Sequence, residues 1–395
     1  MANRVHYHTS LIDTDLYKIT MQCGICRLYP KVKARYTFKN RDGREFPEGF
    51  AKRLREIVDF YRSDDMMLQL DEHDFFREKC YYLNPVYLDF LRGYRYDPTE
   101  VTIKQTGPKL EVTIEGYWYR TVLWEVPLMA TISELYFEMT GQTIDDEATR
   151  HLTNLNKAAK LVSIDVCFSE FGTRRRFSFE NQDQMVVDMK NLSRSHMLGT
   201  SNVFLAMIHD LTPMGTVAHE FYSAHGAMFG YRMANEMANE AWVKVYQGDL
   251  GTALTDTFTT DAFFKSFSTK YAKLFDGVRQ DSGDPIVFID KAVGHYQKLR
   301  INPMYKYAMF SDNLKSIEQI KAIHDACQGR IVDRYGIGTW LSNDVGVKPL
   351  NMVIKLTEID FGEGWIPTVK LSDDPGKNTG HSNAIKLCKE SLNID

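Results

Sequence analysis

Cysteine is scarce in this chain, with six in 395 residues (Cys23, Cys26, Cys80, Cys167, Cys327, Cys388). That is too few for a disulfide framework and suits a reducing compartment, while the length is ample to bury a core without covalent staples. Long apolar runs are also missing. No stretch approaches the ~18 continuous apolar residues that a bilayer span requires, and the opening Met1-Ala2-Asn3-Arg4-Val5-His6-Tyr7-His8 has no apolar signal segment. A cytoplasmic protein without a membrane partner is expected. Positive charge is not in surplus: Lys+Arg number 48 against Asp+Glu 52, a net charge of −4. A protein that coats nucleic acid or a membrane surface normally carries an excess of cations to meet phosphates, so both classes are disfavoured. Small-molecule ligands are the better expectation.

Several chemical signatures are absent as well. There is no G-x-x-x-x-G-K-[ST] loop, no G-x-S-x-G elbow and no G-x-G-x-x-G fingerprint, which excludes a P-loop, a hydrolase nucleophile elbow and a dinucleotide-binding turn. His219 and His225 stand six apart, not four, so they fall on different helical faces and do not make an H-E-x-x-H zinc pair. Cys23 and Cys26 form a C-x-x-C with no second half to complete a zinc site. They read as two small side chains in a helix.

What is present is a change of texture partway along. Residues 1–150 mix strand-like runs (34–38, 109–114) with helix-like ones (50–62, 86–91, 130–139), and Asp42-Gly43 carries a hairpin signal. From about 160 onward, strand, polar or glycine-rich turn and amphipathic helix repeat, beginning with a strand-like run at 161–167. Asp284-Pro285 supplies a capping carboxylate and a proline for the first helical position. Val287, Phe288, Ala292, Val293, Tyr296 and Leu299 then define one buried face. Leu314, Ile317, Ile320 and Ile323 define a second such helix, ending before Gly329. Polar residues at predicted strand ends (Asp256, Asp281, Asp312, Gly338) recur at near-regular intervals. That spacing suits a (β/α) barrel, whose site lies at the C-terminal strand ends, with a doubly wound open sheet as the alternative. The expected organisation is an N-terminal α+β domain over 1–150, joined by roughly 345–395, and an α/β barrel over 151–345.

The chemistry-bearing residues cluster at these strand ends. Asp281-Ser282-Gly283-Asp284 and Ser311-Asp312-Asn313 offer carboxylates for ribose hydroxyls or Mg²⁺ and free N–H groups at helix starts, although each is also the pattern of an ordinary cap. Gly336-Ile337-Gly338-Thr339 lets backbone approach a phosphate closely. Phe171-Gly172-Thr173-Arg174-Arg175-Arg176 concentrates guanidinium forks suited to carboxylate or phosphate. Gly215-Thr216-Val217-Ala218-His219-Glu220 places a histidine, a residue type able to act as acid, base, nucleophile or ligand, beside a carboxylate at the end of another short apolar-containing segment.

Together with Thr14-Asp15-Leu16-Tyr17-Lys18-Ile19-Thr20-Met21, Gly199-Thr200-Ser201-Asn202 and Val369-Lys370-Leu371-Ser372, these motifs run in order along nearly the whole chain. The combination resembles the nicotinate phosphoribosyltransferase family. Phe221 departs from the family, which often has Trp after His-Glu, and Trp340 lies at a variable position. The resemblance implies an irregular α/β barrel packed against a domain built from both ends of the chain. It also implies formation of nicotinate mononucleotide and pyrophosphate from nicotinate and 5-phosphoribosyl 1-diphosphate, coupled to ATP through a phosphorylated His219, in NAD salvage.

In that reading Tyr17 and Phe171 sandwich the pyridine ring, with Thr216 nearby. Arg174, Arg175 and Arg279 are candidates for the nicotinate carboxylate and the sugar phosphate. Asp281 and Asp312 lie near ribose hydroxyls or Mg²⁺ with Ser282, Gly283 and Ser311, and Gly336, Gly338 and Thr339 cradle the 5-phosphate. His219, Glu220, Arg174 and Asp281 form the catalytic set. No general base is needed, because the pyridine nitrogen carries a free lone pair; the demand is for leaving-group and charge stabilisation. A nicotinamide phosphoribosyltransferase and a non-catalytic phosphometabolite-binding barrel are the alternatives. The family includes monomers and homodimers.

Overall fold

The structure, a computed structural model, describes residues 7–394 apart from Thr9, Arg194 and Pro375. The opening segment Met1–His6 lies outside them. The strands used below are β1 (Lys33–Asn40), β2 (Val101–Thr106), β3 (Lys109–Tyr117), β4 (Phe168–Glu170), β5 (Met197–Thr200), β6 (Gln247–Leu250), β7 (Thr252–Leu254), β8 (Gly277–Gln280), β9 (Tyr307–Phe310), β10 (Val332–Ile337), β11 (Met352–Asp360) and β12 (Ile366–Pro367).

Two sheets organise the molecule, which is of the mixed α/β class. An antiparallel sheet has the order β12-β11-β1-β3-β2. β1 is central, with Ala34, Tyr36 and Phe38 buried on alternate positions and its edges paired to β3 and β11. With both edges taken, the Asp42-Gly43 hairpin expected after β1 does not form. The hairpin of this sheet lies instead at Gly107-Pro108, where Thr106 pairs with Lys109 and Gly107 adopts φ 56°.

The second sheet is parallel, in the order β5-β4-β10-β9-β8-β7. Read cyclically this is chain order, the order of a barrel, while the strand ladder stays open between β5 and β7. Residues 212–216 span that opening: Met214 N–H donates to Thr200 O (2.8 Å) and Thr216 Oγ1 to Thr252 O (3.2 Å). Asp256, Asp281, Asp312 and Gly338 each fall one or two residues beyond a strand, as their spacing required.

The helices follow the same logic with two exceptions. Pro285–Lys298 starts where expected, the Asp284 carboxylate accepting from the N–H groups of Ile286 and Val287. Residues 161–167 are not a strand. The helix Glu147–Ser163 runs through Leu161, which shares a buried face with Asn154, Lys157 and Ala158 at helical spacing. The helix after β9 begins at Ile317, capped by Ser316, because Asn313 at φ 54° turns the chain and leaves Leu314 buried outside the helix. The helix Leu16–Leu28 is buried over Leu16 to Ile25 apart from Tyr17 and is clamped by Tyr87, which donates to Ile19 O, and Tyr246, which donates to Thr20 O. Cys23 and Cys26 sit in this helix as free thiols. Among the described residues no helix is long and apolar enough to cross a membrane.

Candidate active site

The N-terminal segment is stitched onto the parallel sheet just before its first long helix. Leu16 N–H donates to Ser201 O (2.8 Å) and Val203 N–H to Thr14 O (3.0 Å). Beneath it, Arg176 is fully buried and donates to both Asp13 oxygens (2.7 and 2.8 Å) and to Glu134 (2.7 Å). Against the pull of burial, Arg176 and His8 hold the Asp13 carboxyl well below the usual range. The last arginine of the 171–176 segment therefore anchors the fold, and the anchor delivers Asp15 and Tyr17 to the strand ends.

Tyr17, Phe171, Arg174, Thr216 and Arg279 line one slot with Asp15, Ser201, Tyr307 and Arg334. Gly336 also serves this slot: a Cβ there would lie 2.5 Å from the Phe171 ring, so the glycine makes room for the aromatic face. Tyr17, Arg174 and Arg279 are shared with an adjoining cavity lined by His219, Glu220, Asp281, Lys355 and Lys370. Arg174 lies 3.7 Å from Asp15, 3.6 Å from Glu125 and over the Tyr17 ring.

His219 is the first residue of the helix His219–Phe229. Its Nδ1 faces Thr257 Oγ1 (3.0 Å), and its Nε2 faces Asp281 Oδ2 (2.9 Å) and Lys370 Nζ (2.9 Å). Burial, reinforced by the Lys370 ammonium, pushes the imidazole down to about 4. Asp281 also accepts from Arg279 (3.1 Å) and Ser311 (2.8 Å), and despite its burial Arg279 and His219 hold it well below the carboxylate range. Glu220 lines the same cavity but makes its bonds to a different set of residues, because successive helical residues diverge by about 100°. It is bound to Lys18, Tyr36 (3.0 Å) and Trp118 (3.4 Å), and Lys18 bridges it to Glu125 (2.5 Å). The carboxylate beside His219 in space is thus Asp281, not its sequence neighbour.

The remaining candidates divide. Ser311 joins the network, donating to Asp281 while accepting from Arg279 (2.8 Å). Asp312 sits at the next strand end, pushed up to about 6 by burial against the pull of Lys377 at 3.7 Å. Ser282 is buried, donating to Asp256 (2.5 Å) and accepting from Asp373 N–H (2.9 Å); Gly283 N–H donates to Asp374 (3.1 Å). Both line a separate cavity together with Asp284, Asp373 and Asp374. Arg175 is turned out of the slot, its Nε donating to Met352 O (3.1 Å), with burial and the neighbouring Arg174 lowering it to about 10. Gly338 caps the short helix Thr339–Ser342, so Thr339 opens a helical turn at the end of β10.

Sequence reasoning assigned no role to Lys18, Thr257, Lys355 or Lys370. Lys18 and Lys370 lie inside quoted motifs, but a lysine in a run of apolar residues gives no sign of which carboxylate it meets. Lys355 lies on β11 and is pushed down to about 8 by burial, far in sequence from everything it faces.

The pattern of the nicotinate phosphoribosyltransferase (NAPRTase) family matches residues 166–395, and that of its N-terminal domain matches residues 12–133. Nicotinate phosphoribosyltransferase from Chromohalobacter salexigens is 49% identical over 384 residues, 97% of this chain and 98% of the relative. That from Desulforapulum autotrophicum is 50% identical over 386 residues, with 97% and 98% covered. The crystal structure of nicotinate phosphoribosyltransferase from Porphyromonas gingivalis superposes with a TM-score of 0.95 at 42% identity, covering 98% of this chain and all of the other. With the fold, the order of the motifs and relatives matched over almost their full length in agreement, this chain belongs to the nicotinate phosphoribosyltransferase family.

Proposed function

We infer that the protein forms nicotinate mononucleotide and pyrophosphate from nicotinate and 5-phosphoribosyl 1-diphosphate. The observation that carries this reading is the continuity of the two cavities: an aromatic slot between Tyr17 and Phe171 opens, past Arg174 and Arg279, onto the His219–Asp281–Lys370 cluster. A flat pyridine held by stacking has its nitrogen lone pair free to attack ribose C1. The bond from C1 to the diphosphate oxygen breaks as the C–N bond forms, and no proton has to move. Arg174, Arg279 and Lys370 answer the charge that develops on the departing diphosphate. Gly338 and Thr339, at the end of β10, are assigned to the 5-phosphate.

Asp281 and Asp312 suit Mg²⁺. Burial raises Asp312 against the pull of Lys377, and the carboxylates of Asp281, Asp374 and Asp256 add to the rise, so a cation there would meet more than one carboxylate. Mg²⁺ is ordinarily held by one or two carboxylates together with phosphate oxygens. When bound it would neutralise the diphosphate leaving group.

His219 is proposed as the group phosphorylated by ATP, a nitrogen–phosphorus bond forming as the phosphoanhydride breaks and ADP leaves. Lys370 then stands beside the new dianion, and the added charge at Asp281 is offset by Arg279. The free cysteines fit a cytoplasmic location. An assay of nicotinate mononucleotide with and without ATP, paired with mass spectrometry for phosphate on His219, tests the whole reading. Product from nicotinate, stimulated by ATP and insensitive to ATP in His219→Asn, is the expected result. Faster turnover of nicotinamide, or full ATP stimulation in the variant, would overturn it.

A further inference from the structure

Arg279 on β8, Met309 on β9 and Arg334 on β10 are register partners on three adjacent strands. Register partners in a ladder point to the same face, and all three line the slot that holds Tyr17, Phe171 and Thr216. One level lower, Thr252, Gly277 and Tyr307 are partners in the same way. A Cβ on Gly277 would lie 2.5 Å from the Tyr307 ring, so the glycine admits that ring, whose hydroxyl is hydrogen-bonded to Thr252 Oγ1. Tyr307 thereby floors the slot.

The Arg334 guanidinium lies on this floor, its Cζ 4.1 Å from the Tyr307 ring centroid. Such stacking fixes the plane of the donor fork. The other arginines of the region already have carboxylate partners or are turned away, whereas Arg334 has the neutral Tyr307 hydroxyl beside it. Arg174 meets Asp15 and Glu125, Arg279 meets Asp281, and Arg176 meets Asp13 and Glu134, while Arg175 is turned to a carbonyl outside. Among the described residues no carboxylate forms an ion pair with Arg334. Gly336, against which the Phe171 ring packs, is two residues further along the same face of β10. Two strand residues span about 6.6 Å, the scale of a pyridine ring with its substituent.

We propose that Arg334 is a specificity-determining residue, its guanidinium receiving the pyridine carboxylate at the floor of the slot beside Arg279 and so selecting the acid over the neutral amide. The assignment rests on the functional reading above. A carboxylate offers two lone-pair oxygens to the fork, whereas an amide presents an NH₂ donor to a cation and leaves donors unanswered.

Steady-state kinetics with nicotinate and with nicotinamide, on the unaltered protein and on Arg334→Lys, Arg334→Gln and Arg334→Leu, test the proposal, with urea unfolding to identify the folded variants. The expected result is a nicotinate KM raised about 10- to 100-fold in the Gln and Leu variants and severalfold in the Lys variant. The acid-over-amide preference falls by the same factor, and the KM for 5-phosphoribosyl 1-diphosphate stays within about twofold. A folded variant with nicotinate KM and preference unchanged would refute it. Absence of turnover by the unaltered protein would instead overturn the functional reading. Calorimetric titration with nicotinate then decides the floor, since weaker binding by Arg334→Gln supports the assignment and equal binding removes it.

Discussion

Gly336 and Phe171 are a matched pair, since the space a side chain would fill at one is occupied by the ring of the other. Gly336→Ala should displace that ring by a fraction of an ångström to an ångström and raise the nicotinate KM about 10-fold or more with little change in folding, as kinetics and a urea melt on the same sample would reveal. The glycine was legible as a close-approach position. What approaches it is an aromatic side chain 165 positions earlier in the chain, and sequence alone favoured a phosphate. A buried lysine gives a second test. Lys18 neutralises both Glu125 and Glu220, so Lys18→Met strands two carboxylates and should cost about 3–5 kcal/mol in urea unfolding. His225 gives a third. Burial pushes it down to about 4, its Nδ1 lies against Phe221 O (2.7 Å) and its Nε2 against Tyr29 Oη (2.7 Å), so the neutral ring donates from Nδ1 and accepts at Nε2. An unfolded histidine titrates near 6.5. The stabilising contribution is therefore complete above pH 6.5 and is lost as pH falls toward 4, up to about 3 kcal/mol. His225→Asn should flatten the stability–pH profile in that window.

At the scale of elements, the parts whose cause is local were readable. Pro285–Lys298 carries its own cap, its own proline and a clean apolar face; removing the cap with Asp284→Ala should cost about 1 kcal/mol, read as a lower urea midpoint at unchanged slope. The parts whose cause is distant were not. β4 is only three residues long, all buried, and the apolar stretch before it looked like the strand until the helix Glu147–Ser163 claimed Leu161 for its packed face. The same contrast separates the two hairpin signals. Asp42-Gly43 has the favoured dipeptide, yet β1 gives both edges to strands from elsewhere in the chain, while Gly107-Pro108 turns because β2 and β3 match on either side. The strand-end positions of Asp281 and Asp312, just past β8 and β9, were legible because the alternation of strand and helix dictates where strand ends fall. Lys355 and Lys370 were missed because β11 and the loop after it enter by long-range pairing.

For the molecule as a whole, β11 is the decisive strand. It lies between β1 and β12 and is the source of Lys355. A chain ended at residue 345 would leave one edge of β1 unpaired and uncover Tyr36 and Phe38. It should fail to give a cooperative urea transition, as circular dichroism would record. After β12, Lys370 pairs with Thr379, and Asp373 accepts from Thr260 N–H (2.8 Å), which ties the segment to the parallel sheet's helices. Its Lys370 stands 151 positions after His219. At a synthesis rate of about 5–20 residues per second, the histidine leaves the ribosome roughly 8–30 s before the ammonium that is to face it. Through that interval a nascent chain carries the histidine without the ammonium that faces it in the finished molecule, and the pair is complete only once the C-terminal segment has been made.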